Sequence, residues 1–353
     1  MSNRKSASGN FFEDFHVGQQ LRHATPRTLT GGDVALYLAL TGGRFALASA
    51  DTFARKAGLP RAPVDALLAF HVVFGKTVPD ISLNAVANLG YAEGRFLAPV
   101  WPRDTLTAVS EVIGLKENTN GETGVVYVRT RGFNQNGTEV ISYVRWVMVR
   151  KRDVKSPAPA PVVPKLAASV AARDLVVPEG LSFDGFDATL SGSPHFFEDY
   201  AAGEIIDHVD GMTVEEAEHQ MATRLYQNTA RVHFNQHAES KGRFGRRLIY
   251  GGHVISLARS LSFNGLANAD PIIAINGGRH VNPLFAGDTV FAWSEVLGKA
   301  ELQGRNDMGA LRIRLVATKN LPCADFPGRD RAAPAPAEMI LDFDYWALVP
   351  RRG

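Results

Sequence analysis

The sequence predicts an α+β protein built as two tandem copies of one fold, each copy a long antiparallel sheet wrapped around a central apolar helix. The first observation behind this is a repeat. Phe11-Phe12-Glu13-Asp14-Phe15 returns as Phe196-Phe197-Glu198-Asp199-Tyr200, and Gly94-Arg95 with Pro99 returns as Gly278-Arg279 with Pro283. Asp104-Thr105 with Ser110-Glu111-Val112 returns as Asp288-Thr289 with Ser294-Glu295-Val296. An offset near 184 (Gly94 to Gly278) marks duplication of a whole unit and not a short-period solenoid. The second observation is an almost uncharged helix in each copy, and the third is a set of three β-rich runs that closes each copy.

Taken in order, the first unit spans residues 11–153, a Pro/Ala-rich linker covers 154–192, and the second unit spans 193–352. Each unit opens with a capping-box signal, Thr30 three residues before Asp33 and Thr213 three before Glu216. The apolar helix begins near Pro63 and carries Leu67, Leu68, Phe70, Val72, Val73 and Phe74; its partner runs from Gly252 through His253, Val254, Ile255, Leu257, Ala258 and Leu261. Helices apolar on several faces need to be surrounded. The strands expected to do so are Leu106–Ile113, Gly124–Asn134 and Val140–Arg150, then Val290–Leu297, Leu311–Thr318 and Met339–Val349. They are β-branched and aromatic runs separated by turn signals such as Asn120-Gly121 and Asn136-Gly137. Between Lys155 and Leu190 the five prolines 157, 159, 161, 164 and 178 read as a semi-rigid linker over the surface. This is the tandem, or double, hot-dog arrangement; two unrelated α+β sandwiches would have the same composition.

The chain of 353 residues, 45% hydrophobic and 21% charged, is ordinary globular material long enough for two cores. A net charge of +2 from 38 basic and 36 acidic residues gives no global field for nucleic acid or an anionic membrane. The single cysteine, Cys323, forms no intrachain disulfide and no thiolate metal site, and residues 1–10 carry no apolar signal core, so a cytoplasmic protein is expected. The histidines do not fall at ligand spacing with carboxylates or cysteines, so neither a metal nor another cofactor is expected. One chain already holds two units, so a monomer and a further assembled homo-oligomer are both compatible with it.

Polar chemistry is concentrated in the second unit, which holds seven of the ten histidines. The suggestive run is Gln227-Asn228-Thr229-Ala230-Arg231-Val232-His233, followed by Arg246-Arg247-Leu248-Ile249-Tyr250-Gly251-Gly252-His253. His233 can shuttle a proton, and a glycine pair opening a helix offers free amides and a positive dipole end to a developing oxyanion. Read alone, His233 between Val232 and Phe234 is more often a structural histidine, and a glycine pair more often marks a turn. The first unit has Gly43 and Ala48 where the second has Asn228 and His233, and Asp65 where it has Gly251, so the first copy is expected to be degenerate and structural.

These two segments resemble the MaoC-like enoyl-CoA hydratases, in which Asp-x-Asn-Pro-x-His precedes a helix opening His-Gly-Met. The resemblance covers nearly the whole chain. Pro63-Val64-Asp65, the run Phe70 to Asn84, Leu89 to Arg95 and Tyr250 to Ile255 are similar, within that family, to hydratases of mesaconyl-CoA. The resemblance implies reversible addition of water to mesaconyl-CoA (2-methylfumaryl-CoA) to give β-methylmalyl-CoA, with coenzyme A as part of the substrate. It assigns His233 as acid/base, Asn228 as holder of the water and Gly251 as oxyanion donor. Asn228 stands where the family has an aspartate and cannot accept a proton, so a carboxylate from elsewhere is sought to complete the pair. Arg231, where the family has proline, is the expected reader of the substrate's free carboxylate. Tyr250 and Gly252 are expected to line the pocket, and Arg246 and Arg247 to meet the CoA phosphates. The competing readings are hydration of other enoyl chains, a hot-dog thioesterase, which would want an acid at 228, and a non-catalytic acyl-CoA binding module.

Overall fold

Residues whose side chains alternate between two buried faces form strands longer than their apolar runs alone indicate. The computed structural model describes residues 5–352. The first repeat contributes β1 (Gln20–Thr28), β2 (Ala85–Phe96), β3 (Thr105–Glu117), β4 (Thr123–Phe133) and β5 (Glu139–Arg150). The second contributes β6 (Ile205–Thr213), β7 (Ile272–His280), β8 (Thr289–Glu301), β9 (Met308–Lys319) and β10 (Met339–Pro350). All ten join one antiparallel sheet in the order β1-β3-β4-β5-β2-β7-β10-β9-β8-β6. Its midline is the β2–β7 pair, where Tyr91 faces Gly278 and Gly94 faces Ile275. Since Gly94 and Gly278 are repeat equivalents, the two copies meet about a pseudo-twofold axis, and the fold is a double hot dog.

Each half of the sheet wraps one helix. Ala66–Thr77 is buried from Leu67 to Thr77 and Gly251–Leu261 from Gly252 to Leu261, as helices apolar on all sides require. The two are tied by Ser256 Oγ, which accepts from the Tyr37 hydroxyl at 2.9 Å and lies 2.8 Å from His71 Nε2. Two boundaries differ from the sequence expectation. The first central helix starts at Ala66 with Asp65 as N-cap, because Pro63 and Val64 lie extended and Val64 N–H donates to Val100 O. Thr213 is not a cap: it ends β6 and its hydroxyl meets that of Thr289 at 2.8 Å, as Thr28 meets Thr105 at 2.7 Å. The repeat partner of Thr30 is therefore Glu215, which caps helix Glu216–Leu225 with Glu218 as the reciprocal acid.

The Pro-rich segment is fastened as well as stiff. Val162 bridges Leu115, Val170 N–H donates to Asn276 Oδ1 at 2.8 Å, and Trp346 Nε1 donates to Val170 O at 3.1 Å. Among the described residues no helix is long and apolar enough to cross a membrane.

At Gly75 the first central helix rests directly on the carbonyl of Tyr226, so close that a Cβ there would overlap it. Beside it, Lys76 Nζ donates to Thr25 O and to Gln227 Oε1, the latter at 3.2 Å. The first repeat thus supports the turn that carries Asn228. Gly75→Ala is expected to lower stability by about 1–3 kcal/mol through overpacking and to impair turnover. Gly298→Ala, with open space at its Cβ position, is the control and should change the urea midpoint little.

Candidate active site

A tight turn after helix Glu216–Leu225 brings the polar residues of the second repeat together. Gln227 adopts a positive φ of 56°, turning the chain so that Asn228 points inward, 3% exposed. Its Oδ1 accepts from Ala230 N–H at 3.0 Å, which leaves Nδ2 as the group able to hold a water. The short helix Arg231–Phe234 then presents His233. His233 Nδ1 lies 2.9 Å from the Leu248 carbonyl, and because a carbonyl can only accept, Nδ1 carries the proton and Nε2 keeps its lone pair. Desolvation pushes the His233 pKa down to about 4, with the Leu248 bond opposing it, so the imidazole is a neutral base at pH 7.

The second central helix begins against this ring. Tyr250 is its N-cap and has no side-chain acceptor for the first amides, so the N–H groups of Gly251 and Gly252 stay open. A Cβ at Gly251 would overlap the His280 ring, which explains the glycine sterically as well as chemically. The ring of Tyr250 folds back over Gly252 and lies 5.5 Å from that of His233 between centroids.

The sequence reading missed three members of this cluster. His219 Nε2 accepts from Tyr250 N–H at 2.9 Å, fixing the helix start, and its ring lies 6.2 Å from His233. His280, at the end of β7, approaches Tyr91 of the first repeat, hydroxyl to Nε2 at 3.2 Å. A histidine three residues after Glu216 inside an amphipathic helix, and another closing a strand, carry no local signal; only their partners reveal them. The expected carboxylate partner of His233 is not found, since among the described residues no acid pairs with it and no cluster of metal-ligating groups exists. Histidines occupy that space instead.

The arginines separate. Arg231 is exposed with no acid against it, Arg246 is exposed and stacks 3.9 Å over Phe285, and Arg247 is half-buried and paired with Glu216. In the first repeat, helix Ala46–Ser49 matches Arg231–Phe234, and Gly43 and Ala48 supply no polar group. By the same register Asp65 matches Tyr250, both being N-caps, so the residue matching Gly251 is Ala66 and not Asp65.

Burial lowers the pKa of His219 to about 2, of His253 and His280 to about 4, and of His71 well below its ordinary value. Unfolding at acid pH therefore takes up protons. Their contribution is complete above the unfolded value near 6.5 and is lost as pH falls toward 4, each neutral histidine costing up to about 1.4 kcal/mol per pH unit. The urea midpoint is expected to fall already between pH 6.5 and 5, above the carboxylate range, and less so in His219→Gln. A flat midpoint over that window would contradict the neutral cluster.

The chain is similar to known proteins over almost its whole length. The family described as Mesaconyl-CoA hydratase matches residues 3–333. The Beta-methylmalyl-CoA dehydratase of Chloroflexus aurantiacus is 63% identical, with 99% of each chain covered. The Mesaconyl-CoA hydratase of Cereibacter sphaeroides is 65% identical, covering 98% of this chain and 100% of that one. A crystal structure of a MaoC domain dehydratase from Chloroflexus aurantiacus superposes with a TM-score of 0.97 at 62% identity, over 99% of this chain and 100% of that one. A double hotdog fold protein of Mycobacterium tuberculosis does so with a TM-score of 0.79 at 25% identity, over 97% and 99%. On this match over almost its full length, the chain belongs to the mesaconyl-CoA hydratase family of MaoC-like hydro-lyases.

Proposed function

We propose that the chain catalyses the reversible hydration of mesaconyl-CoA to β-methylmalyl-CoA, with the chemistry carried by the second repeat and the first repeat serving as support. The observation that carries this reading is His233, whose Nδ1 is locked on the Leu248 carbonyl so that Nε2 stays unprotonated, with its ring 5.5 Å from that of Tyr250, the N-cap of the helix whose first amides, at Gly251 and Gly252, are open. The thioester oxygen lies at those amides and the helix N-terminus, which stabilise the charge that develops on it as water adds. Asn228 Nδ2 donates to the water oxygen and Nε2 of His233 accepts its proton. The hydroxyl then bonds to the β-carbon, and the imidazolium returns the proton to the α-carbon, so no net proton is consumed.

The guanidiniums of Arg231 and Arg246 are exposed, and strongly hydrated, widely spaced phosphates are suitable partners for such cations. We assign them to the nucleotide portion of CoA, and this revises the expectation that Arg231 reads a buried carboxylate. Arg247 is held by Glu216.

A thioesterase would need a base aimed at the carbonyl carbon, and Asn228 cannot supply one. The test follows the loss of enoyl-thioester absorbance with mesaconyl-CoA. His233→Ala is expected to cut kcat by at least about 100-fold, and the acid limb of kcat/KM should fall near pH 4 instead of 6.5. Release of free thiol without loss of the double bond would establish hydrolysis instead, and binding with neither change would leave a binding module.

A further inference from the structure

Among the described residues three arginines are almost completely buried: Arg145, 0% exposed, Arg259 and Arg314. Burying a guanidinium is costly unless an acid or a full set of acceptors compensates it, and arginine cannot shed its proton to escape the cost. Arg314 has Asp342, with Nε to Oδ1 at 2.9 Å, and Arg259 has Asp270 at 3.5 Å and the Ala269 carbonyl at 2.5 Å. Arg145 has no carboxylate among the described residues. Its Nη2 donates to Thr77 Oγ1 at 2.8 Å and Ser82 Oγ at 3.3 Å, and its Nε and Nη1 are buried with no acceptor.

The pseudo-symmetry supplies an internal control. Arg145 on β5 pairs with Tyr91 and Val128, and the equivalent residue on β10, pairing with Ile275 and Ile313, is Tyr345. Phe74 on the first central helix corresponds in the same way to Arg259 on the second. Each half of the molecule therefore sets one arginine against one aromatic ring, Arg145 at 4.3 Å over Phe74 and Arg259 at 5.7 Å over Tyr345, with the arginine moved from helix to strand. Arg259 belongs to the cavity at the N-terminus of the first central helix, the degenerate counterpart of the active site, which Asp65 and Asp270 also line. At that cavity the arginine, contributed by the second repeat, is neutralised from within the chain by Asp270. Arg145, contributed by the first repeat, is not.

Arg145 is linked to the candidate site through two aromatic rings. Phe74, under its guanidinium, is 5.6 Å from Tyr250 between ring centroids, and Tyr250 is 5.5 Å from His233. The hydroxyl of Tyr250 is likewise buried without a partner. We propose that Arg145, with the Tyr250 hydroxyl beside it, receives the free carboxylate of a dicarboxylic enoyl thioester and is the residue that selects such substrates over monocarboxylic ones. This rests on the hydratase reading and adds the carboxylate subsite to it. The first repeat then contributes a binding residue to the second repeat's site. A buried guanidinium with three open N–H groups, one on Nε and two on Nη1, matches a carboxylate in charge and supplies donors that the chain leaves unused, and an apolar group there would leave it uncompensated.

The test compares mesaconyl-CoA with 2-methylcrotonyl-CoA, which has the same skeleton with a methyl in place of the carboxylate. For Arg145→Met the ratio of kcat/KM values, mesaconyl over methylcrotonyl, should fall on the order of 100-fold, the effect of removing one partner of a desolvated charge pair. Arg145→Lys, which keeps the charge and is the safeguard should the methionine variant not fold, should lower the ratio about tenfold through KM, because an ammonium is a point donor and cannot reproduce the fixed N–H directions of a guanidinium. Equal losses on both substrates in folded protein would assign Arg145 a purely structural role and overturn the proposal, as would a ratio moved by Arg231→Ala and not by Arg145. If wild-type protein hydrates neither thioester, the hydratase reading fails. The subsite is then judged by the thermal shift that mesaconyl-CoA gives beyond CoA alone, which Arg145→Lys should abolish and which, if retained in full, refutes it.

Discussion

The pairing of β2 with β7 is the constraint on which the rest of the structure depends. Without it each half would be a curled five-stranded sheet with an exposed edge, and edges of that length invite unwanted association. With it the sheet is continuous, and the register of Tyr91 on Gly278 sets the two central helices antiparallel, the C-terminal turn of one against the N-terminus of the other. That juxtaposition brings Gly75 under Tyr226 and Tyr91 beside His280. The candidate site is assembled across the axis, although the base proposed for it, His233, belongs to one repeat.

Much of the fold was legible because its signals are local and periodic. The three closing strands of each copy, the two central helices and the duplication itself all follow from apolar pattern and direct self-similarity. The misplacement of the second capping box came from matching Thr213 to Thr30 by residue type. Structural register instead matches it to Thr28, since both are the last strand residues and both pair with a threonine on the neighbouring strand. The candidate site was legible where motif and neighbourhood coincide, at Asn228, His233 and Gly251, which the fold carries on one turn, one short helix and one helix start. His219, His280 and Tyr91 act through partners far away in sequence. Arg145 did have a signal: it shares one face of β5 with Ile141, Tyr143, Val147 and Val149, all nearly fully buried, so strand alternation alone places a cation on a core face.

The neutral histidine cluster and the unpaired arginine belong to one electrostatic design. Desolvation keeps the imidazoles near His233 uncharged, so on the proposed reading they add no repulsion to the proton that His233 accepts, and Arg145 remains a fixed positive charge. Entry of a carboxylate would neutralise the guanidinium and exclude water. A lower local dielectric strengthens every remaining dipole, including the amides at Gly251. Lys76 fits the same logic: burial lowers it to about 8, and its acceptors are a carbonyl and an amide oxygen, so it fastens the Asn228 turn without demanding an acid.

On the proposed reading the first repeat lacks more than a histidine. Asp65 Oδ1 accepts from Leu67 N–H at 2.8 Å, so a carboxylate of the chain itself occupies the helix N-terminus that in the second repeat is left open by Tyr250. An oxyanion site filled by a resident anion cannot stabilise another, and a negative charge there would repel an enolate as it forms. Asp65 gives the degenerate copy a stable helix start, with the Tyr37 hydroxyl 3.4 Å away and Arg259 nearby, and burial raises its pKa against the bonds that lower it. The same position thus separates two uses of one physical device. An acid at the N-cap satisfies the helix from within and stabilises the fold, whereas an aromatic N-cap held by His219 leaves the amides unsatisfied so that the substrate can complete them. Restoring a histidine at Ala48 would therefore return a base to a site whose electrophilic half is still blocked.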